Sequence, residues 1–134
     1  MRSLKLTALW HAVGWSYVAF VIYCSLDPSP PALPGFQGAD KLAHVGAYAV
    51  MMLWFGFLYL PGRPYLRLGA LFVLLGIVLE FIQGATGYRS METLDMVSDA
   101  GGIFVGGLLA KTRLGLALVG LENRLLGDTS KRIH

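Results

Sequence analysis

From its amino terminus the chain alternates long apolar runs with short polar breaks. The first run covers about residues 4–26 and closes at Asp27-Pro28. A second covers 40–60 and stops at Pro61-Gly62-Arg63-Pro64. A third covers 65–85, a polar stretch follows from Thr86 to Thr93, and a fourth run covers 94–113. Each is close to the roughly 20 apolar residues that carry an α-helix across a bilayer. Four prolines at 28, 30, 31 and 34 forbid a helix between the first two runs. The pattern predicts an all-α integral membrane bundle of four transmembrane helices, in a single domain over 1–134. Beyond 113, Leu114, Leu118, Leu121 and Leu125 recur at helical spacing. That predicts a short amphipathic C-terminal helix within 114–134, lying in the membrane interface.

Composition strengthens this picture. Hydrophobic residues make up 55% of the chain and charged residues 14%, with a mean hydropathy of +0.59. A soluble domain carries about 25% charged residues, so this chain cannot coat a water-facing surface. Intrinsic disorder is excluded by the same numbers. The single cysteine, Cys24, excludes a disulfide scaffold and every C-x-x-C metal or redox motif. The first run starts on a basic segment like a secretory signal. Its length and the lack of a small-x-small cleavage site predict an uncleaved helix.

The net charge is +3. The basic residues flank the apolar runs, which is the mark of membrane orientation rather than of nucleic-acid binding. Nine of them (Arg2, Lys5, Arg63, Arg67, Lys111, Arg113, Arg124, Lys131 and Arg132) fall on one side of the membrane. Only Lys41 and Arg89 fall on the other. The positive-inside rule then places both termini in the cytoplasm. Trp54, Tyr59 and Tyr65 read as interface anchors near the cytoplasmic turn.

Ionisable groups inside membrane spans are costly and mark functional sites. Here they gather near the outer face: Asp40, Lys41 and His44 open the second run, and Glu80 and Gln83 lie late in the third. Arg89, Glu92, Asp95 and Asp99 cover the last loop and the start of the fourth. Asp40, His44 and Tyr48 are spaced by four residues, as are Asp95 and Asp99, so each set shares a helix face. Two carboxylates at that spacing repel and call for a cation, a shared proton or a hydrogen-bond donor. Arg89 is the expected bridge between them and the expected contact for an anionic ligand. Gly102 and Gly106 continue the Asp95–Asp99 stripe as a small-residue face. Packing within one protomer is the first reading of that face, and a homodimer contact the second. His11, beside Trp10 and Trp15, reads as a packing residue.

These residues resemble a known family. Asp40-Lys41-Leu42-Ala43-His44 followed by Tyr48 is similar to the D-K-x-x-H-x-x-x-Y signature of the VanZ-like membrane proteins. Glu80, Gln83, Arg89, Asp95, Gly102 and Gly106 fit the family's second block. The resemblance covers about half the chain and all its polar membrane residues. It departs at Asp99, where many relatives carry asparagine. It implies a multi-pass protein of the bacterial inner membrane, linked to the cell envelope and to glycopeptide (teicoplanin) resistance. No settled reaction comes with it.

Two functional readings follow. In the first, His44, Asp40, Glu80 and Asp95 are catalytic. His44 shuttles a proton and is oriented by Asp40; Glu80 or Asp95 activates water. Lys41, Gln83, Arg89, Asp99 and Tyr48 bind the substrate, and Arg89 stabilises developing negative charge. The partners are membrane lipids and an anionic, lipid-linked envelope component. No cofactor is expected; a metal on His44, Glu80, Asp95 and Asp99 is a variant, with no local H-E-x-x-H spacing behind it. In the second reading the protein is a non-catalytic accessory whose polar cluster binds a ligand or partner, or only fixes helix packing. The chain lacks a spacing signature for a Ser or Cys nucleophile.

Overall fold

Four helices take up the four apolar runs, as the hydropathy pattern predicts. The structure, a computed structural model, describes residues 4–29, 35–36 and 38–127. Within it α1 is Thr7–Leu26, α2 is Ala39–Leu58, α3 is Arg63–Thr86 and α4 is Thr93–Ala110. A 3-10 turn over Arg113–Leu116 leads into α5, Ala117–Gly127. The heart of the proline loop, Arg2 and the chain beyond Gly127, which includes Lys131 and Arg132, lie outside the described residues.

Local chemistry sets the helix ends. Gly38 enters α2 with φ of 89°, and Gly87 closes α3 with φ of 77°, a left-handed backbone that a glycine adopts without a Cβ penalty. Pro64 sits in the first turn of α3, where its missing N–H costs nothing. All four helices are long and apolar enough to cross a membrane, and the protein is a multi-pass membrane protein. Their outer surface agrees: Phe20, Leu66 and Phe104 are 59%, 68% and 67% exposed. A monomer in water rarely shows so much contiguous apolar surface.

The chain runs up and down, so α1 and α3 end where α2 and α4 begin. The most extensive contact is between α2 and α4. Gly102 and Gly106 make it possible. A Cβ at Gly102 would collide with the Val45 carbonyl, and one at Gly106 with the Ala49 carbonyl. Lipid tails are as apolar as leucine, so close backbone approach and dispersion, not burial from water, hold such helices together. The small-residue face is therefore filled by α2 of the same chain, and a homodimer through it would have to displace that helix.

Three expectations change at the opposite end. α4 stops at Ala110, short of 113, because Lys111, Thr112 and Arg113 begin a polar turn. Tyr65 is no interface anchor: it is buried, and its hydroxyl donates to the Met52 carbonyl at 2.9 Å. Trp54 donates its indole N–H to the Trp10 carbonyl at 3.1 Å and stacks edgewise on Trp10 at 6.3 Å. The C-terminal helix packs on the bundle. Leu118 and Glu122 are buried. Glu122 Oε2 accepts the Lys5 backbone N–H at 2.7 Å. Its Oε1 accepts the Leu6 N–H at 2.9 Å and the Trp10 indole N–H at 2.6 Å. Those backbone donors stand at the entry of α1, where a helix has no partners of its own. Burial alone would raise the carboxyl's pKa. The three donors and the nearby Lys5 charge outweigh it and hold Glu122 below the usual glutamate value.

Candidate functional site

The polar residues of α2, α3, α4 and the α3–α4 loop meet at the other end of the bundle. His44 lies one turn into α2 and points at α4. Its Nδ1 is 2.8 Å from Asp99 Oδ1, and its Nε2 is 3.6 Å from Asp95 Oδ2. An ionised carboxylate only accepts, so Nδ1 carries the proton in the shorter contact. Gly76 of α3 makes room for Asp99: a Cβ there would stand 2.6 Å from Asp99 Oδ2. Tyr48, a turn further along α2, is buried against the same carboxylate.

Glu80 projects from α3 and is 1% exposed. Its Oε2 accepts the Glu92 N–H at 3.0 Å, at the first residue before α4. This tethers the loop to α3 and supplies an acceptor that the α4 terminus lacks within its own chain segment. His44, Glu80 and Asp95 each offer one ligating atom, all within 4.8 Å of one another, and Asp40, Glu92 and Asp95 form a second, more exposed set.

Lys41 holds the rim. Its Nζ pairs with Asp40 at 2.7 Å, with Asp95 at 2.5 Å and with Glu92. Asp95 is the unusual residue. It is buried, its Oδ1 lies beside the ammonium, and its Oδ2 accepts no hydrogen bond among the described residues.

The remaining residues close the end of α1. Gln83 Nε2 donates to the Ser25 carbonyl at 2.6 Å and Arg89 Nη1 to the same carbonyl at 3.2 Å. The Tyr88 hydroxyl donates to the Leu26 carbonyl at 3.0 Å. These are carbonyls that the last turn of a helix leaves unmatched.

The structure thus brings His44, Glu80, Asp95 and Asp99 together, with Tyr48 behind them and Lys41 at the rim. It separates others. Asp40 does not orient His44: it is exposed and faces Lys41, and Asp99 and Asp95 hold the imidazole instead. The side chain is the first residue after Ala39 in α2, and it leaves the bundle before the helix packs. Arg89 does not bridge Asp95 and Asp99; Lys41 reaches Asp95, and His44 serves both. Among the described residues Arg89 forms no ion pair, so its charge is not spent on a carboxylate. Gln83 acts on α1 rather than on the cluster. His11 packs edgewise on Tyr59 at 5.6 Å, as a packing residue does.

Two carboxylates have roles that the sequence does not assign: Glu92, which it places only at the outer face, and Glu122. Glu92 belongs to the rim through Lys41 and to the core through its N–H, and only the folded loop shows it. Glu122 had a faint signal: it lies four residues after Leu118, hence on the same face of a leucine-rich helix. No family model, curated protein or solved structure matches this chain.

Proposed function

We propose that this is a VanZ-like protein of the bacterial inner membrane, with both termini in the cytoplasm. On that reading the polar end faces outward at headgroup level and takes an anionic, lipid-linked component of the cell envelope. The observation that carries the reading is the convergence of His44, Asp99, Asp95 and Glu80 from three helices, with a 2.8 Å His44–Asp99 contact at its centre. Such a dyad fixes one tautomer and aims the second imidazole nitrogen at neighbouring acids, the arrangement general acid–base chemistry uses. The orientation rests on charge. Lys5, Arg63, Arg67, Lys111, Arg113 and Arg124 all stand at the end away from the cluster.

The anionic character of the ligand rests on Arg89. It sits at the loop beside the cluster, and its guanidinium is turned to a neutral carbonyl rather than to an acid. A phosphate or carboxylate arriving there gains a charge-assisted contact without breaking an ion pair.

The test is native mass spectrometry of the protein extracted with its own lipids. A defined anionic lipid retained by the wild type and lost in Arg89→Ala, at unchanged monodispersity, is the expected result. Wild-type protein without a retained lipid, or a lipid held equally by Arg89→Ala, would overturn the reading. A second reading has its own observation: Glu80 on the Glu92 N–H and Gln83 on Ser25 both tie helix ends together. There the cluster fixes helix packing and binds no ligand, and a wild type without a retained lipid supports it.

A further inference from the structure

The polar cluster has more negative charge than its neighbours neutralise. Glu80, Asp95 and Asp99 gather around His44, Asp40 and Glu92 lie on the rim beside Asp95, and Lys41 is the one ammonium among them. That lysine is shared by three of the carboxylates, all on the rim side. Nothing cationic in the described residues pairs with Glu80, which accepts only a backbone N–H and is 1% exposed.

We propose that His44, Glu80 and Asp95 are the ligands of a divalent first-row transition ion of the Zn2+ type. Three independent features of the geometry lead there. The first is spacing. Ligands at about 2.0–2.1 Å from a tetrahedral zinc are roughly 3.3 Å apart. His44 Nε2 and Asp95 Oδ2 are 3.6 Å apart without any ion, and the three-residue set lies within 4.8 Å.

The second is the imidazole. Nδ1 donates to Asp99, which leaves Nε2 with its lone pair facing Asp95. In metal sites the ligating histidine is held in this way, with a carboxylate on the far nitrogen fixing tautomer and ring plane. Asp99 is then a positioning residue. A lone pair opposed to a carboxylate is repulsive, and either a proton or a cation between them removes the repulsion.

The third is Asp95. It is 7% exposed; Lys41 meets its Oδ1 at 2.5 Å, while Oδ2, turned to His44 Nε2 at 3.6 Å, accepts no hydrogen bond among the described residues. Buried polar atoms are nearly always bonded, so an orphan calls for a missing partner. Lys41, on the rim, occupies the approach and acts as a competitor for the same carboxylate.

The donor set selects the ion. A nitrogen and two carboxylates suit zinc and its first-row neighbours, whereas Ca2+ and Mg2+ favour all-oxygen shells. Three protein ligands leave a coordination position for water or for a ligand oxygen. The proposal holds whether or not the protein binds a lipid, and its test contains no lipid-dependent readout.

The experiment uses the full chain in detergent micelles, stripped with chelator. Co2+ is titrated by visible absorption and then displaced with Zn2+. One ion per chain, with the intense bands of a four-coordinate N/O site, is expected. His44→Asn keeps a donor for Asp99 and removes Nε2, and should weaken binding by at least about a hundredfold. Asp99→Asn should weaken it by roughly 10–100-fold, as for other groups that support a ligand. Lys41→Met should tighten it, and Glu122→Gln, at the far end, should leave it unchanged. Weak octahedral bands, absence of binding at millimolar metal, or unchanged affinity in His44→Asn would each overturn the proposal. Where His44→Asn does not fold, the wild-type spectrum and Asp95→Asn decide.

Discussion

The two ends of the bundle treat buried carboxylates in opposite ways. At the end that carries both described termini, one acid, Glu122, lies among Lys5, Arg63, Arg67, Lys111, Arg113 and Arg124. It forms no ion pair with any of them among the described residues, and is matched instead by three N–H donors, two of them from the entry of α1. Both oxygens are used and nothing is left over. At the other end, Asp95, Asp99 and Glu80 surround one imidazole; only Asp95 also reaches the Lys41 ammonium, which it shares with Asp40 and Glu92, and its Oδ2 accepts no hydrogen bond among the described residues. A satisfied carboxylate is a staple; an unsatisfied group of them is a site. Burial alone does not distinguish the two, because Glu122, Glu80 and Asp99 are almost equally hidden.

The comparison is broken most directly at Asp99. A hydrogen bond to a buried carboxylate contributes about 1.5–3 kcal/mol, so Asp99→Ala, which leaves the His44 Nδ1–H unmatched, should lower the unfolding free energy in mixed micelles by that amount. A loss of well under 1 kcal/mol would mean that His44 does not depend on it.

Next is the α2–α4 seam, which carries both ends. Gly106→Ala puts a methyl into the Ala49 carbonyl, and overpacking of this kind costs about 1–3 kcal/mol. Gly107, one residue on, has open space around it. Gly107→Ala should be neutral or stabilising by up to about 1 kcal/mol, the helix preference for alanine over glycine. Equal effects at the two positions would show that the seam is not tight.

The staple is then tested by pH. Glu122 titrates below its unfolded value of 4.5 in the folded chain. Its contribution is therefore present above that value and is lost as pH falls through the lower, folded pKa. Hydrogen-exchange protection of α5 and of the Lys5 and Leu6 amides should hold at neutral pH and fall in acid below about 4.5. In Glu122→Gln the acid step should vanish. Protection that ignores pH in the wild type would end the staple account.

The smallest thermal effect belongs to Lys41. Its side chain is 24% exposed and its partners include the exposed Asp40 and Glu92. Such pairs contribute up to about 1 kcal/mol. In the metal-loaded protein, where the ion takes over the charge of Asp95, Lys41→Met should therefore barely move the melting temperature while raising metal affinity. A large loss of stability would assign the lysine to the fold instead.

Much of this was legible in the residues themselves. Four apolar runs of membrane length, broken by Pro28 to Pro34, by Pro61-Gly62 and by Thr86 to Thr93, read directly as four helices, because a bilayer demands length and apolarity and little else. The clustering of His44, Glu80, Asp95 and Asp99 at one level was legible too, since up-and-down connection brings their helix ends together. The pairings were not. Spacing by four placed Asp40 and His44 on one helix face, but α4 lies against His44 and water lies against Asp40. Arg89 looked like the bridging cation, and Lys41 takes that place because the loop turns Arg89 toward Ser25. Glu122 was invisible because its partners are backbone N–H groups more than a hundred residues away.

By itself, then, the sequence determined the number of helices, their length, the charge difference between the two ends and the level at which the costly groups lie. These follow from one-dimensional quantities: apolar run length, turn residues and the sign of flanking charge. The tertiary structure alone decided which acid meets which base, that Gly102 and Gly106 are filled by α2, and that one carboxylate closes a helix end while others remain unmatched. Those outcomes depend on distances of a few ångströms between separate helices, and hydrogen bonds and ligand geometry change over that scale while hydropathy does not.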